Sequence, residues 1–155
     1  MTGGCTCGTI RYELKATPLI THACHCTWCQ RETGSAFATN TVIETSNVAL
    51  LAGAPVEIVT PSLSGKGQII VRCPTCHVAL WSHYPTAGRR AAFIRVGTLD
   101  QPHTITPDVH IFTSTKRPWV VLPPDQLAVP EFYDPAEVWS PDMRARWAAL
   151  MATSA

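Results

Sequence analysis

Cys73-Pro74-Thr75-Cys76 follows the apolar run Gln68–Arg72 directly, and Cys5-Thr6-Cys7 stands near the start of the chain. The first is a knuckle spacing, in which a tight turn aims two sulfurs and backbone N–H groups inward. The second puts two sulfurs on one face of an extended segment, because strand residues two apart point the same way. Paired, they predict a tetrahedral Cys₄ shell joining residues far apart in sequence. The other three of the seven cysteines form Cys24-His25-Cys26-Thr27-Trp28-Cys29. These spacings suit disulfides poorly, since linking residues two apart strains the backbone and closes almost no loop. Four plus three is the natural division. A closed four-sulfur zinc is structural, whereas three protein ligands and an open position mark a catalytic one. The competing readings are reduced core thiols for the four, and a second structural or partly filled site for the three.

Three thiolates would leave a zinc at Cys24, Cys26 and Cys29 with net charge −1, a weaker Lewis acid than a three-histidine zinc. Accepting a fourth soft ligand is then more natural than activating water near neutral pH. A small-molecule thiol, held as thiolate or stabilised as a leaving group, is the substrate class this coordination suggests. A histidine is the alternative fourth ligand, with His22, His25 and His77 as candidates. His25 lies between two ligands, so on an extended segment it points away from the ion and reads as a supporting or surface residue. His77 follows the knuckle, where positive φ is often needed and His tolerates it better than a branched residue.

A chain of 155 residues is most economically one domain with a real core. Its formal charge of +1, without a Lys/Arg block, weighs against a nucleic-acid partner. Met1–Cys5 has neither the basic nor the apolar region of a signal peptide, and no apolar run reaches membrane-span length. Thiolates held on metal suit a reducing, cytoplasmic compartment.

Thirteen prolines favour turns over long helices. In Gly8–Leu14, Ile10, Tyr12 and Leu14 alternate as one face of a strand. Further strands are expected at Leu19–Cys24, Ser35–Ile43, Asn47–Leu51, Val56–Thr60, Gln68–Arg72, Val78–Tyr84, Ala91–Val96 and His110–Phe112, with a turn or short helix at Thr27–Gly34. Short strands at this spacing argue a mainly β fold. The tail differs. After Pro123, Pro124 and Pro130, the pairs Asp134-Pro135 and Ser140-Pro141 each read as an N-cap followed by proline at the first helical position. Met143, Trp147, Leu150 and Met151 then share one face of a C-terminal helix expected to dock on the sheet.

Trp28, Phe37, Trp81 and Trp119 are aromatic enough to wall a pocket, although core packing is the commoner fate. Arg31 is a candidate clamp for a carboxylate or a solvated surface residue. Asp100 reads as a cap for the turn after Val96, and His103 and His110 as ordinary histidines. No Ser/His/Asp set, phosphate loop or dinucleotide fingerprint is visible.

Four stretches occur in order: Gly4-Cys5-Thr6-Cys7-Gly8, then Cys24 to Arg31 with Gly34-Ser35, then Cys73 to Cys76, then Gly97-Thr98-Leu99-Asp100. This set resembles the glutathione-dependent formaldehyde-activating enzyme family, which also includes centromere protein V. The likeness runs from about Gly4 to Trp119. It implies a twisted, tent-like fold of antiparallel sheets with two zinc ions. Cys5, Cys7, Cys73 and Cys76 would hold the structural ion, and Cys24, Cys26 and Cys29 the other, near a glutathione thiol. Two positions depart from the family pattern: His77-Val78 replace Gly-Thr after the knuckle, and Gln101 stands where a second acid is frequent.

The resulting expectation is a zinc β domain over residues 1–122, with a Pro-rich extension and helix over 123–155 packed on it. The expected activity is that of a zinc-dependent carbon–sulfur lyase acting on glutathione, or another small thiol, and formaldehyde or a related aldehyde. The rivals are an interaction module with both zincs structural, and a redox sensor whose three-cysteine site oxidises and releases metal.

Overall fold

Ile10, Tyr12 and Leu14 are all buried, as their alternation requires, and they seat a small sheet on a larger one. The structure, a computed structural model, describes residues 1–153. Its strands are β1 (Thr2–Gly4), β2 (Arg11–Leu14), β3 (Ile20–Cys24), β4 (Ala38–Glu44), β5 (Val48–Ala52), β6 (Val56–Thr60), β7 (Gln68–Arg72), β8 (Ala79–His83), β9 (Ala91–Arg95), β10 (Val109–Ile111) and β11 (Leu127–Ala128). Helix α1 (Thr27–Thr33) lies between β3 and β4, while α2 (Pro135–Val138) and α3 (Pro141–Ala152) follow β11.

The small sheet is ordered β1-β2-β5, and the large one β11-β10-β3-β4-β9-β8-β7-β6. The fold is mainly β, as expected, but the large sheet is mixed rather than purely antiparallel. β10 runs parallel to both β3 and β11. The reason is the long connection from β9, which carries two 3₁₀ turns and returns the chain in the direction of β3.

The central strands are buried on both faces, and alternation sends neighbours to different cores. In β4, Val42 enters one cluster and Ile43 the other; in β9, Ala91 and Ala92 divide the same way. One core holds Ile10, Tyr12, Leu80, Trp81 and Ile94 beneath the small sheet, where the Tyr12 and Trp81 rings meet edge to face with centroids 5.7 Å apart. Truncating a fully buried side chain such as Ile94 to Ala costs about 2–5 kcal/mol. The other core holds Leu19, Val42, Val109, Tyr133 and Trp139, with Met143, Trp147, Leu150 and Met151 of α3 packed against it. The tail helix docks as its apolar face predicts.

Both expected caps form. Asp134 accepts from the Ala136 N–H at 2.8 Å, and Ser140 from the Met143 N–H at 3.2 Å. Two short strands escaped the sequence reading. β1 contains two of its three residues as glycine, and β11 is two residues long. The Gly8–Leu14 strand begins only at Arg11, because Gly8 turns the chain at φ 77°.

Candidate metal and substrate site

Cys5 follows β1, Cys7 lies in the turn toward β2, and Cys73 and Cys76 form the turn between β7 and β8. The four sulfurs lie within 4.8 Å of one another, so the group bridges the small sheet and the large one. Cys5 Sγ is 3.5 Å from Cys7 Sγ, and Cys7 Sγ is 3.7 Å from Cys73 Sγ. A disulfide needs about 2.05 Å. Zinc–sulfur bonds of about 2.3 Å put the sulfurs of a tetrahedron roughly 3.8 Å apart, which this group fits. Backbone N–H groups support the sulfurs: Ile10 donates to Cys5 at 3.2 Å and Thr75 to Cys73 at 3.4 Å. His77 adopts φ 61°, its N–H donating to the Cys73 carbonyl at 3.0 Å. Its side chain is exposed and outside the sulfur group, so its part in the knuckle is backbone geometry.

Cys24 ends β3, while Cys26 and Cys29 flank the first turn of α1. Cys26 is itself the N-cap, its sulfur accepting the Cys29 N–H at 3.3 Å, and Gly34 ends the helix at φ 65°. These three sulfurs also lie within 4.8 Å of one another, and among the described residues no histidine or carboxylate joins them. Sulfur hydrogen bonds from Cys24 and Cys29 hold the Cys26 thiol far below its ordinary range. Contacts with Cys26 and Cys29, then burial, push Cys24 far above it. Three thiolates need a cation between them, and the donor set is that of a soft divalent metal.

The triple opens on a cavity of about 570 Å³. Its walls are mostly aromatic and aliphatic, with Trp28, Tyr84 and Phe93 from the sheet side and Phe132, Trp139 and Trp147 from the tail. Glu32, Lys66 and Arg95 are its charged residues, and Glu32 is already paired with Arg72. Arg95 is 8% exposed; its guanidinium donates to Asn40 Oδ1 and, at 3.1 Å, to Ser82 Oγ. Its Nε has no partner, and no carboxylate pairs with it among the described residues. A buried cation without a counter-charge is costly unless something anionic lies nearby. Tyr84 packs edge to face on Phe93, and its hydroxyl has no hydrogen-bond partner among the described residues. Burial, then the neighbouring Cys29, raises its pKa, so it remains a neutral donor.

The remaining candidates are sorted by the same geometry. His22 lines the cavity, but its Nε2 meets the Tyr133 hydroxyl at 2.6 Å rather than the sulfurs. His25 does point away from the metal group, yet it is fully buried rather than at the surface. Its Nε2 lies 3.0 Å from His110 Nδ1, and His110 Nε2 lies 2.6 Å from Gln126 Oε1. His110 is therefore a buried bridge between β3 and the tail, not an ordinary scattered histidine. Trp28 lines the cavity, Trp81 is core, and Phe37 packs on His25 with ring centroids 5.0 Å apart. Trp119, expected in the core, is 73% exposed, and Arg31 is exposed and away from the cavity. Asp100 does not cap the turn after Val96; its carboxylate takes Arg11 and the Thr2 hydroxyl, pinning β1 to β2 and holding its pKa down at about 2. Sequence reasoning did not place Tyr84, Arg95, Trp139 or Trp147 at the site, because they carry no motif and meet there only through the fold.

No helix among the described residues is long and apolar enough to cross a membrane. No curated protein matches the chain. Among solved structures, the crystal structure of a Rhodobacter sphaeroides protein is similar with a TM-score of 0.49 and 19% identity, covering 64% of this chain and 88% of that one. The family model described as glutathione-dependent formaldehyde-activating enzyme matches residues 1–115, a span that contains all seven cysteines. On that match the chain belongs to the glutathione-dependent formaldehyde-activating enzyme family.

Proposed function

We propose that the chain is a zinc-dependent carbon–sulfur lyase that joins glutathione or another small thiol to formaldehyde or a related aldehyde, or cleaves the adduct. The observation that carries this reading is the three-cysteine group at the wall of a large cavity, with no fourth protein donor among the described residues. Family membership supports the substrate pair.

Cys24, Cys26 and Cys29 would hold the zinc, which when bound would supply a soft Lewis acid able to keep an incoming thiol ionised. The thiol sulfur bonds to the carbonyl carbon, the C=O π pair moves to oxygen, and the proton lost by the thiol ends on that oxygen. Cleavage runs the same steps backward, with no oxidant or reductant. Tyr84 is the group suited to donate a hydrogen bond to that oxygen as charge develops on it. Arg95 and Lys66 are the two wall cations free of a carboxylate among the described residues, and glutathione brings two carboxylates. The apolar walls exclude water from the reacting carbon. Cys5, Cys7, Cys73 and Cys76 hold a second, structural zinc. Residues 1–122 make up the zinc domain in this reading, and the described residues from 123 onward an extension packed on it. Thiolates held on metal suit a reducing, cytoplasmic setting for this work.

The test is zinc content per chain, together with S-hydroxymethylglutathione formation from glutathione and formaldehyde followed by NMR against the uncatalysed rate. Two zinc ions and a clear acceleration that Cys29→Ser abolishes are expected. A zinc-loaded protein that accelerates no thiol–aldehyde pair leaves this reading without support and favours a binding module.

A further inference from the structure

The cavity is far larger than formaldehyde requires. A hydroxymethyl group fills the room of roughly two waters, about 60 Å³, whereas the space is about 570 Å³. That volume is in the range of pockets that enclose drug-sized molecules. Nor is glutathione a good match for all of it. The tripeptide is polar with charged ends, and the wall offers two cations unpaired among the described residues against many aromatic and aliphatic residues. Much of the apolar wall has no occupant in the reaction as proposed.

The origin of that wall is informative. Family resemblance accounts for residues 1–115. Phe132, Trp139 and Trp147 lie beyond it and line the same cavity as Cys24, Cys26 and Cys29. Trp139 and Trp147 meet edge to face with centroids 5.3 Å apart, and Trp139 is fixed by its N–H bond to Tyr133 at 2.7 Å. Indoles held in this way form a preset wall for a flat apolar group.

We infer that the adduct handled here carries a bulky apolar or aromatic group on the carbon bonded to sulfur, and that residues 132–147 form the wall that selects it. The inference rests on reading the cysteine triple as the thiol site. The chemistry is unchanged: a thiol and an aldehyde R–CHO give the thiohemiacetal, the carbon–sulfur bond forming while the proton passes to oxygen.

The experiment measures calorimetric affinities of the zinc-loaded protein for S-methylglutathione and S-benzylglutathione. These thioethers read the wall without acting as thiols. Free glutathione, followed by zinc–sulfur spectroscopy, reads the thiol site separately. Benzyl alcohol against ethanol reads the wall with no glutathione present. S-benzylglutathione is expected to bind at least about tenfold tighter than the methyl conjugate. That ratio should fall toward one in Phe132→Ala and Trp147→Ala, with unchanged circular dichroism certifying the fold; Trp147→Leu is the reserve if Trp147→Ala does not fold. Equal affinities for the two conjugates, or a preference that survives both wall variants, overturns the inference while leaving the thiol reading untouched. If glutathione brings no sulfur to zinc but benzyl alcohol still binds in a Trp147-dependent way, the wall stands and the thiol reading falls. If neither conjugate nor benzyl alcohol binds, the inference is wrong.

Discussion

The Tyr133 hydroxyl lies 2.6 Å from His22 Nε2 and accepts the Trp139 indole N–H at 2.7 Å. With Trp139 donating to it, the hydroxyl keeps its own proton free for His22 Nε2, and burial holds the His22 pKa down at about 4, so that ring is neutral. This buried chain ties the tail to β3, the strand that ends in Cys24. Tyr133→Phe strands an indole donor and an imidazole acceptor away from water, at a cost of about 1–3 kcal/mol. Urea unfolding should show a lower midpoint with an unchanged slope, and a midpoint equal to that of the parent protein would contradict the chain.

The two sulfur groups should differ in what their loss does. Cys5, Cys7, Cys73 and Cys76 join two sheets, so Cys76→Ser should remove one zinc per chain and lower the melting temperature by on the order of 10 °C. Cys29→Ala removes the other metal from a short helix already capped and packed, and should cost only a few degrees. Metal analysis beside calorimetric melts checks both. Equal destabilisation by the two variants would mean that both sites are structural.

The contrast between these groups was legible in the sequence because short cysteine spacing fixes where sulfurs go whatever surrounds them. The strands were legible for a similar local reason: Ile10, Tyr12 and Leu14 show their period of two directly. What escaped depends on the third dimension. Arg95 is an unremarkable arginine until β9 pairs with β4 and sets its guanidinium beside Asn40. Trp147 read correctly as a docking residue, yet nothing in its helix says that its indole also walls a cavity begun by Cys24. The parallel direction of β10 was hidden as well, since three residues reading Val-His-Ile pair equally well either way. Trp119 shows the opposite error, an aromatic assigned to the core by habit of type and left outside by the turn that carries it.

Arg146 of α3 holds Glu44 of β4 with two hydrogen bonds, Nε at 2.9 Å and Nη2 at 2.6 Å. Burial, the largest single influence, raises the Glu44 pKa, but the Arg146 bonds together with those from its own backbone N–H and from Asn47 outweigh it, and the net shift is downward from 4.5. A carboxylate with a depressed folded pKa stabilises the fold above its unfolded value and loses that contribution as pH falls through the folded one. Stability should therefore drop between about pH 5 and pH 3, and the drop should shrink in Arg146→Ala. Denaturant midpoints across that range check it; parallel curves for the two proteins would remove Glu44 from the account.

Tyr84 and Arg95 should separate in the kinetics of the proposed reaction. Tyr84 has a free hydroxyl beside the triple, and a donor aimed at developing oxygen charge acts mainly in the transition state. Tyr84→Phe should lower kcat by about 10- to 100-fold with KM for glutathione nearly unchanged. Arg95 carries a buried charge without a carboxylate partner, so Arg95→Met should weaken thiol binding and raise KM. Arg95→Lys should recover only part of that loss, since an ammonium cannot keep both the Asn40 and Ser82 bonds and still present a planar face to an anion. Steady-state rates at fixed zinc loading make the comparison. A Tyr84→Phe enzyme with an unaltered kcat would exclude the hydroxyl from the chemistry, and a KM indifferent to Arg95 would assign its charge to the sulfur group alone.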